Sequence, residues 1–238
     1  MNGDSVAVPL PGGRDARGTL DRAADDDGRG NEPRREREDR GAHEAAGAAA
    51  TDAEGRACVV ACPPHPRHRG HRGDERLRAV SGALTDRGVD CLRFDYGPWD
   101  EGRGERTDAR KAVAWARERY ARVGCFGYSF GGGVALCAAA AEARAGRRVA
   151  AASALAPVAR LPDGSDAADA VAALDPAALQ VVYGVRDSTA DWAPVVEAAR
   201  ETGATVVELD TDHFLVGQAG TAGEVVGAFL AERLPDAS

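Results

Sequence analysis

The chain has 238 residues, 44% of them hydrophobic, and a formal net charge of −8 with one lysine, Lys111. That length and apolar content suit a single substantial core, and the acidic balance argues against nucleic acid as a partner. No run of about 18 apolar residues offers a membrane span, and no apolar stretch follows the start to form a signal peptide. The five cysteines, Cys58, Cys62, Cys91, Cys125 and Cys137, fall at apolar positions and read as reduced packing residues, so a cytoplasmic location is expected.

In chain order, strands are predicted over 5–10 and 18–23, joined by a turn at Pro11-Gly12-Gly13. Residues 25–56 are charged and almost free of large apolar side chains. A segment of that kind buries too little surface to offset its ordering entropy, so a disordered insertion is expected there, within one domain spanning 1–238. A regular alternation follows. Strands are predicted over 57–62, 89–94, 122–127, 149–155, 180–184 and 204–209, and helices over 75–87, 107–119, 130–145, 191–202 and 221–234. Strands alternating with helices imply an α/β fold, a mostly parallel sheet with helices on both faces. Residues 156–179 are short of aromatics and rich in Ala and Asp, which leaves little material for a lid over the sheet edge.

The chemistry is concentrated at three strand ends. Gly127-Tyr128-Ser129-Phe130-Gly131 lies between an apolar run and an Ala-rich helical run, the setting in which G-x-S-x-G forms a sharp turn presenting its serine at the top of a sheet. Ser129 is the candidate nucleophile; the alternative is a chance pattern in a chain with 29 glycines. A serine hydroxyl needs a base within hydrogen-bond reach, and the base needs a carboxylate to set its tautomer. Asp187 follows strand 180–184 and His213 follows strand 204–209, both at C-terminal strand ends, where open parallel sheets carry their sites. Asp187 could instead cap a turn before Ser188-Thr189, and His213 could be an ordinary loop histidine. Asp210 and Asp212 are rival acids, too close to His213 in sequence to support its ring easily from the far side.

These residues resemble the α/β-hydrolase superfamily over about 57–234. The segment Cys62-Pro63-Pro64-His65-Pro66-Arg67-His68-Arg69-Gly70 is similar to the His-Pro-x-x-Gly-Gly loop of small, lidless, dienelactone-hydrolase-like members. The resemblance implies the α/β-hydrolase fold with a short or absent lid. It also implies an oxyanion hole formed by the backbone N–H groups of Phe130 and Arg67, and a serine hydrolase that cleaves a small ester or thioester without a cofactor. Acyl transfer on the same residues, or a binding protein of the same fold without turnover, are the alternatives. His65, Tyr96, Trp99 and Phe214 are candidates to line the substrate pocket, with core packing the alternative reading for the aromatics. The low aromatic content of 5% disfavours a lipase, which needs a broad apolar surface. The spacing His65, His68, His71 could suggest metal ligands, but Pro64, Pro66 and Gly70 make the stretch a loop and no partner ligand stands at a zinc spacing, so no metal is expected. Arg67, Arg69, Arg72, Arg76 and Arg78 could draw an anionic substrate, or could form a solvated basic loop balanced by Asp74 and Glu75.

Overall fold

Short apolar runs too brief for helices and bounded by Gly, Pro and Asp become strands buried on both faces. The computed structural model describes residues 3–9, 15–24 and 56–235. Its strands are β1 (Asp4–Pro9), β2 (Asp15–Asp21), β3 (Ala57–Cys62), β4 (Asp90–Phe94), β5 (Arg122–Tyr128), β6 (Ala151–Leu155), β7 (Leu179–Gly184) and β8 (Thr205–Leu209). They form one sheet in the order β1-β2-β4-β3-β5-β6-β7-β8. β1 and β2 are antiparallel to each other, β2 is antiparallel to β4, and every later pair is parallel. Every residue of β3, β4, β6 and β7 is buried, whereas β8 is only half-buried at the sheet edge.

Helices cover both faces. On one side α1 (Glu75–Thr85) and α6 (Ala219–Arg233) interleave Leu77, Val80 and Leu84 with Ala222, Val226 and Leu230. On the other, α2 (Arg103–Arg117), α3 (Phe130–Arg144), α4 (Ala167–Val171) and α5 (Ala193–Thr202) bury Val113, Val134, Leu136, Val171 and Val195. Each such side chain contributes about 1.5–3 kcal/mol when fully removed from water, so the two-sided core is the main source of stability.

The element boundaries differ from expectation in a few places, each with a local cause. α2 starts a turn before the predicted 107, because the Glu105 carboxylate accepts the backbone N–H groups of Asp100 (3.1 Å) and Gly102 (2.8 Å), and Gly102 takes the positive φ of 95° that this cap requires. Between β6 and β7 the chain forms the one short helix α4 and a 3-10 turn at 176–178, each capped by an aspartate, Asp166 and Asp175 respectively. The small segment expected there is therefore ordered by its aspartates. The turn at 11–13 and the insertion predicted over 25–56 lie outside the described residues, save for Arg56.

At the N-terminal ends of the parallel strands, Asp90 is fully buried. It accepts the Ala23 N–H (2.9 Å), Arg56 Nη2 (3.0 Å) and the Tyr120 hydroxyl (2.9 Å). All five cysteines are buried and free. Among the described residues no helix is long and apolar enough to cross a membrane.

Candidate active site

The turn from β5 into α3 is set by two glycines. A Cβ at Gly127 would stand 1.9 Å from the Gly131 carbonyl oxygen, and one at Gly131 would stand 2.3 Å from the carbonyl oxygens of Cys62 and Pro63. Only glycine allows strand, helix and the loop after β3 to close to that distance. The residue between them, Ser129, is forced to φ 58° and ψ −122°, a backbone region that costs on the order of 1–3 kcal/mol for a non-glycine residue. Its N–H is held by the Leu155 carbonyl at 2.9 Å, so the strain is supported by the neighbouring strand.

Ser129, Asp187 and His213 come together. Ser129 Oγ lies 2.9 Å from His213 Nε2, and His213 Nδ1 lies 2.7 Å from Asp187 Oδ2. An ionised carboxylate only accepts, which assigns the ring proton to Nδ1 and leaves Nε2 to accept from the serine hydroxyl. Both Asp187 and His213 are buried. The ring stacks on Tyr128 at 5.5 Å between centroids, and the Tyr128 hydroxyl donates to the His213 carbonyl at 2.9 Å. Burial pushes the Tyr128 phenol up to about 12, so it stays protonated as that donor. Asp187 also has the capping role that its sequence context allowed: Oδ1 accepts the Thr189 and Ala190 N–H groups at 2.8 and 3.1 Å. One oxygen holds the turn and the other holds the histidine. The rival acids stand elsewhere. Asp210 is exposed and paired with Arg186, and Asp212 Oδ1 is buried without a partner among the described residues.

The serine and histidine open onto a cavity of about 570 Å³. One wall is apolar, from Val158, Pro162, Ala190 and Phe214; another is polar and basic, from His68, Arg69, Arg76 and Arg160. Of the four expected pocket residues, His65 and Phe214 line this cavity, while Tyr96 and Trp99 do not. Tyr96 is turned inward, its hydroxyl donating to the Pro63 carbonyl at 3.2 Å and its ring edge-on to Phe94 and Phe130. Trp99 packs on His65 and Phe130 and so braces the loop from behind. The sequence reading missed Val158, Arg160, Pro162, Thr189 and Ala190. They come from loops after β6 and β7, and their one available signal was position after a strand end.

The loop after β3 is ordered by its own side chains. His65 caps a 3-10 turn at 66–68: its Nδ1 accepts the Arg67 N–H at 3.2 Å. The Arg67 amide is therefore committed to the His65 ring, and Arg67 is not in the cavity wall. The N–H groups of His68 and Gly70 both go to the His65 carbonyl. Pro64 and Pro66 have none. The His65 N–H is left without an acceptor among the described residues, on a residue that does line the cavity. The Phe130 N–H opens α3, where the first amides of a helix lack intrahelical acceptors. The histidine spacing has a similar local explanation, because His71 Nδ1 accepts the Gly73 N–H at 2.9 Å, as His65 does for Arg67. Among the described residues no group of His, Cys, Asp and Glu is arranged to hold a metal ion. Of the arginines, Arg72 pairs with Asp95, and Arg76 pairs with Asp74 at 2.7 Å while lying 4.7 Å over the Tyr128 ring.

Comparison with solved structures finds the same architecture elsewhere. A serine hydrolase without a lid from Xanthomonas campestris is 21% identical, with TM-score 0.72 and coverage of 100% of this chain and 98% of that one. Est1E from Butyrivibrio proteoclasticus is 16% identical, with TM-score 0.71 over 96% and 98%. Dienelactone hydrolase from Anabaena variabilis is 17% identical, with TM-score 0.63 over 99% and 100%. This is an α/β-hydrolase fold. Within this fold the turn between β5 and α3 carries Ser129, and the loops after β7 and β8 carry Asp187 and His213. No protein-family model and no curated protein matches the sequence.

Proposed function

We propose that the protein is a serine hydrolase that cleaves a small ester or thioester through an acyl-enzyme on Ser129. The observation that carries this reading is the unbroken chain from Asp187 Oδ2 through His213 (2.7 Å) to Ser129 Oγ (2.9 Å), ending at the cavity. As the serine oxygen attacks the ester carbonyl, His213 Nε2 takes its proton, and Asp187 stabilises the imidazolium while remaining ionised. The carbonyl π electrons move onto oxygen. The Phe130 N–H receives that oxyanion, and the His65 N–H serves as the second donor in place of the expected Arg67, whose amide is already spent on the His65 ring. The imidazolium then protonates the leaving alcohol or thiol as its bond to carbon breaks. In the second half a water gives its proton to Nε2, attacks the acyl carbon, and the serine leaves with the proton returned.

Neighbours of the same fold named as a serine hydrolase and a dienelactone hydrolase support water over another alcohol as acceptor. The apolar wall of Val158, Pro162, Ala190 and Phe214 suits a small acyl or alkoxy group. The deciding experiment is labelling with a fluorophosphonate followed by mass mapping, run beside turnover of short-chain esters and thioesters. Modification of Ser129, with a burst of first product equal to enzyme, is expected. A protein that neither labels nor turns over is a binding protein of this fold, and product partitioning to an added alcohol makes it a transferase.

A further inference from the structure

Away from this site, α2 places Thr107, Arg110, Lys111 and Arg117 at i, i+3, i+4 and i+10, a spacing that gathers them on one helix face. That face meets the end of α3, where Glu142 is buried. Three guanidiniums converge on its carboxylate: Arg110 Nε at 2.8 Å, Arg117 Nη1 at 2.8 Å, and Arg147 through Nε at 2.9 Å and Nη2 at 3.2 Å. Each carboxylate oxygen thus accepts two bonds, and the acceptor is saturated. The donors are not. Among the described residues the terminal nitrogens of Arg110 and the ammonium of Lys111 have no partner, yet both side chains line a hollow of about 380 Å³ together with Thr107, Arg117 and Arg147.

The charge is unbalanced as well. Four cations face one carboxylate, in a chain whose net charge is −8. An ion network that served only to fasten α2 to α3 would need no more than the guanidiniums that Glu142 can accept. The surplus is the terminal nitrogens of Arg110 and the Lys111 ammonium, the Thr107 hydroxyl and Arg117 Nη2 being already given to the Arg103 and Arg147 carbonyls, and a guanidinium beside an ammonium is a donor set that matches tetrahedral phosphate oxygens.

We propose that this hollow binds a phosphate group, free or carried by a small molecule. Glu142 acts as the organiser: it holds Arg110, Arg117 and Arg147 in place around the hollow, and Arg110 keeps its terminal nitrogens for the ligand. A phosphate monoester carries about −1.5 to −2 charges at pH 7, which offsets most of the excess. The site is separate from the serine. Glu142 lies 13 residues along α3 from Ser129, about 20 Å at 1.5 Å per residue.

The test is a titration of the full chain with inorganic phosphate, and separately with glycerol phosphate, at ionic strength held constant with chloride, read by arginine Nε–H NMR shifts and by calorimetry. Saturable binding with a dissociation constant of about 1 mM or tighter is expected, with the arginine shifts confined to Arg110, Arg117 and Arg147. Lys111→Gln and Arg110→Gln should each weaken it about tenfold, the loss of one charge-assisted donor. Lys111 is exposed, so its variant keeps the fold and the comparison stays valid even if Arg110→Gln is unstable. Tighter binding of the ester identifies a phosphorylated ligand, and binding of the inorganic ion alone identifies free phosphate. Shifts that only track ionic strength, or binding unchanged in Lys111→Gln, would overturn the proposal.

Discussion

Asp187 and Asp90 are both buried carboxylates that accept three hydrogen bonds each, and they stand at opposite ends of the same sheet. Asp187 takes two backbone N–H groups and His213. Asp90 takes one backbone N–H, Arg56 and Tyr120. Burial and hydrogen-bond count therefore do not distinguish them. The difference lies in the far side of the partner. His213 has a second ring nitrogen, turned to Ser129 and the cavity and free to accept from the serine hydroxyl. Arg56 carries donors and no acceptor, and burial drives the Tyr120 phenol further from ionisation. A carboxylate at one end of the sheet is thus connected to a proton acceptor that opens outward, and at the other end to groups that close the structure.

Substitutions can break or sharpen that contrast. The largest effect should come from Ser129→Ala, which removes the end of the outward chain: ester turnover is expected to fall about 10⁴–10⁶-fold, with the melting temperature held, as read by calorimetry beside the kinetics. Asp187→Asn should follow with a loss of about 10⁴ in kcat, the cost of a wrongly held tautomer. Asp90→Asn should reverse the pattern, leaving kcat per folded molecule nearly intact while lowering unfolding stability by about 3 kcal/mol, because it removes the charge of a buried ion pair with Arg56. Equal kinetic damage from the two aspartate variants would erase the distinction.

His65 sharpens the contrast at the level of a single amide. Its φ of −59° already suits proline, so His65→Pro and His65→Ala both remove the ring but only the first removes the N–H. A gap of about 10²–10³ in kcat between them is expected if that amide holds the oxyanion; equal activities, with Arg67→Pro strongly impaired, would return the role to Arg67. The smallest effect concerns Glu142. Burial raises its pKa, but hydrogen bonds from Arg147, Arg110 and Arg117 outweigh this and take it from the usual 4.5 to about 2. A depressed carboxylate contributes stability above its unfolded pKa and loses it as pH falls through the folded value. Urea midpoints of the native chain should therefore decline between about pH 4.5 and pH 2, and Glu142→Gln should start lower and decline less.

Much of this was legible in the sequence because its determinants are local. Alternating strands and helices follow from apolar periodicity, and β3 runs over the predicted 57–62. Ser129, Asp187 and His213, which the fold brings within hydrogen-bond reach of one another, each follow a strand end in a G-x-S-x-G, a Gly-x-x-Asp or an Asp-His context. The start of α2 was not legible, since it depends on a glutamate reaching back to two amides. Nor was the direction in which an aromatic turns. Tyr96 and Trp99 sit beside the site in sequence terms but face the core, a choice made by Pro63 and Phe130, which arrive from other strands. The role of the Arg67 amide was hidden for a similar reason: the acceptor is a side chain two residues away, and only the folded turn brings its nitrogen into reach.

The closeness of Gly127 to Gly131, and of Gly131 to Cys62 and Pro63, has a consequence for how such a protein can change. Backbone touches backbone at those positions, so no side chain can be added there without moving two strands and a helix. The cavity wall is the opposite. Val158 and Pro162 come from one loop, Thr189 and Ala190 from a second, and Phe214 from a third, and Val158 meets the serine turn through its backbone N–H, which donates to the Ser129 carbonyl at 3.3 Å, a bond that a changed side chain leaves in place. On the proposed function, preference for substrate is free to drift by single side-chain substitutions in three loops, while Ser129, His213 and Asp187 keep their places.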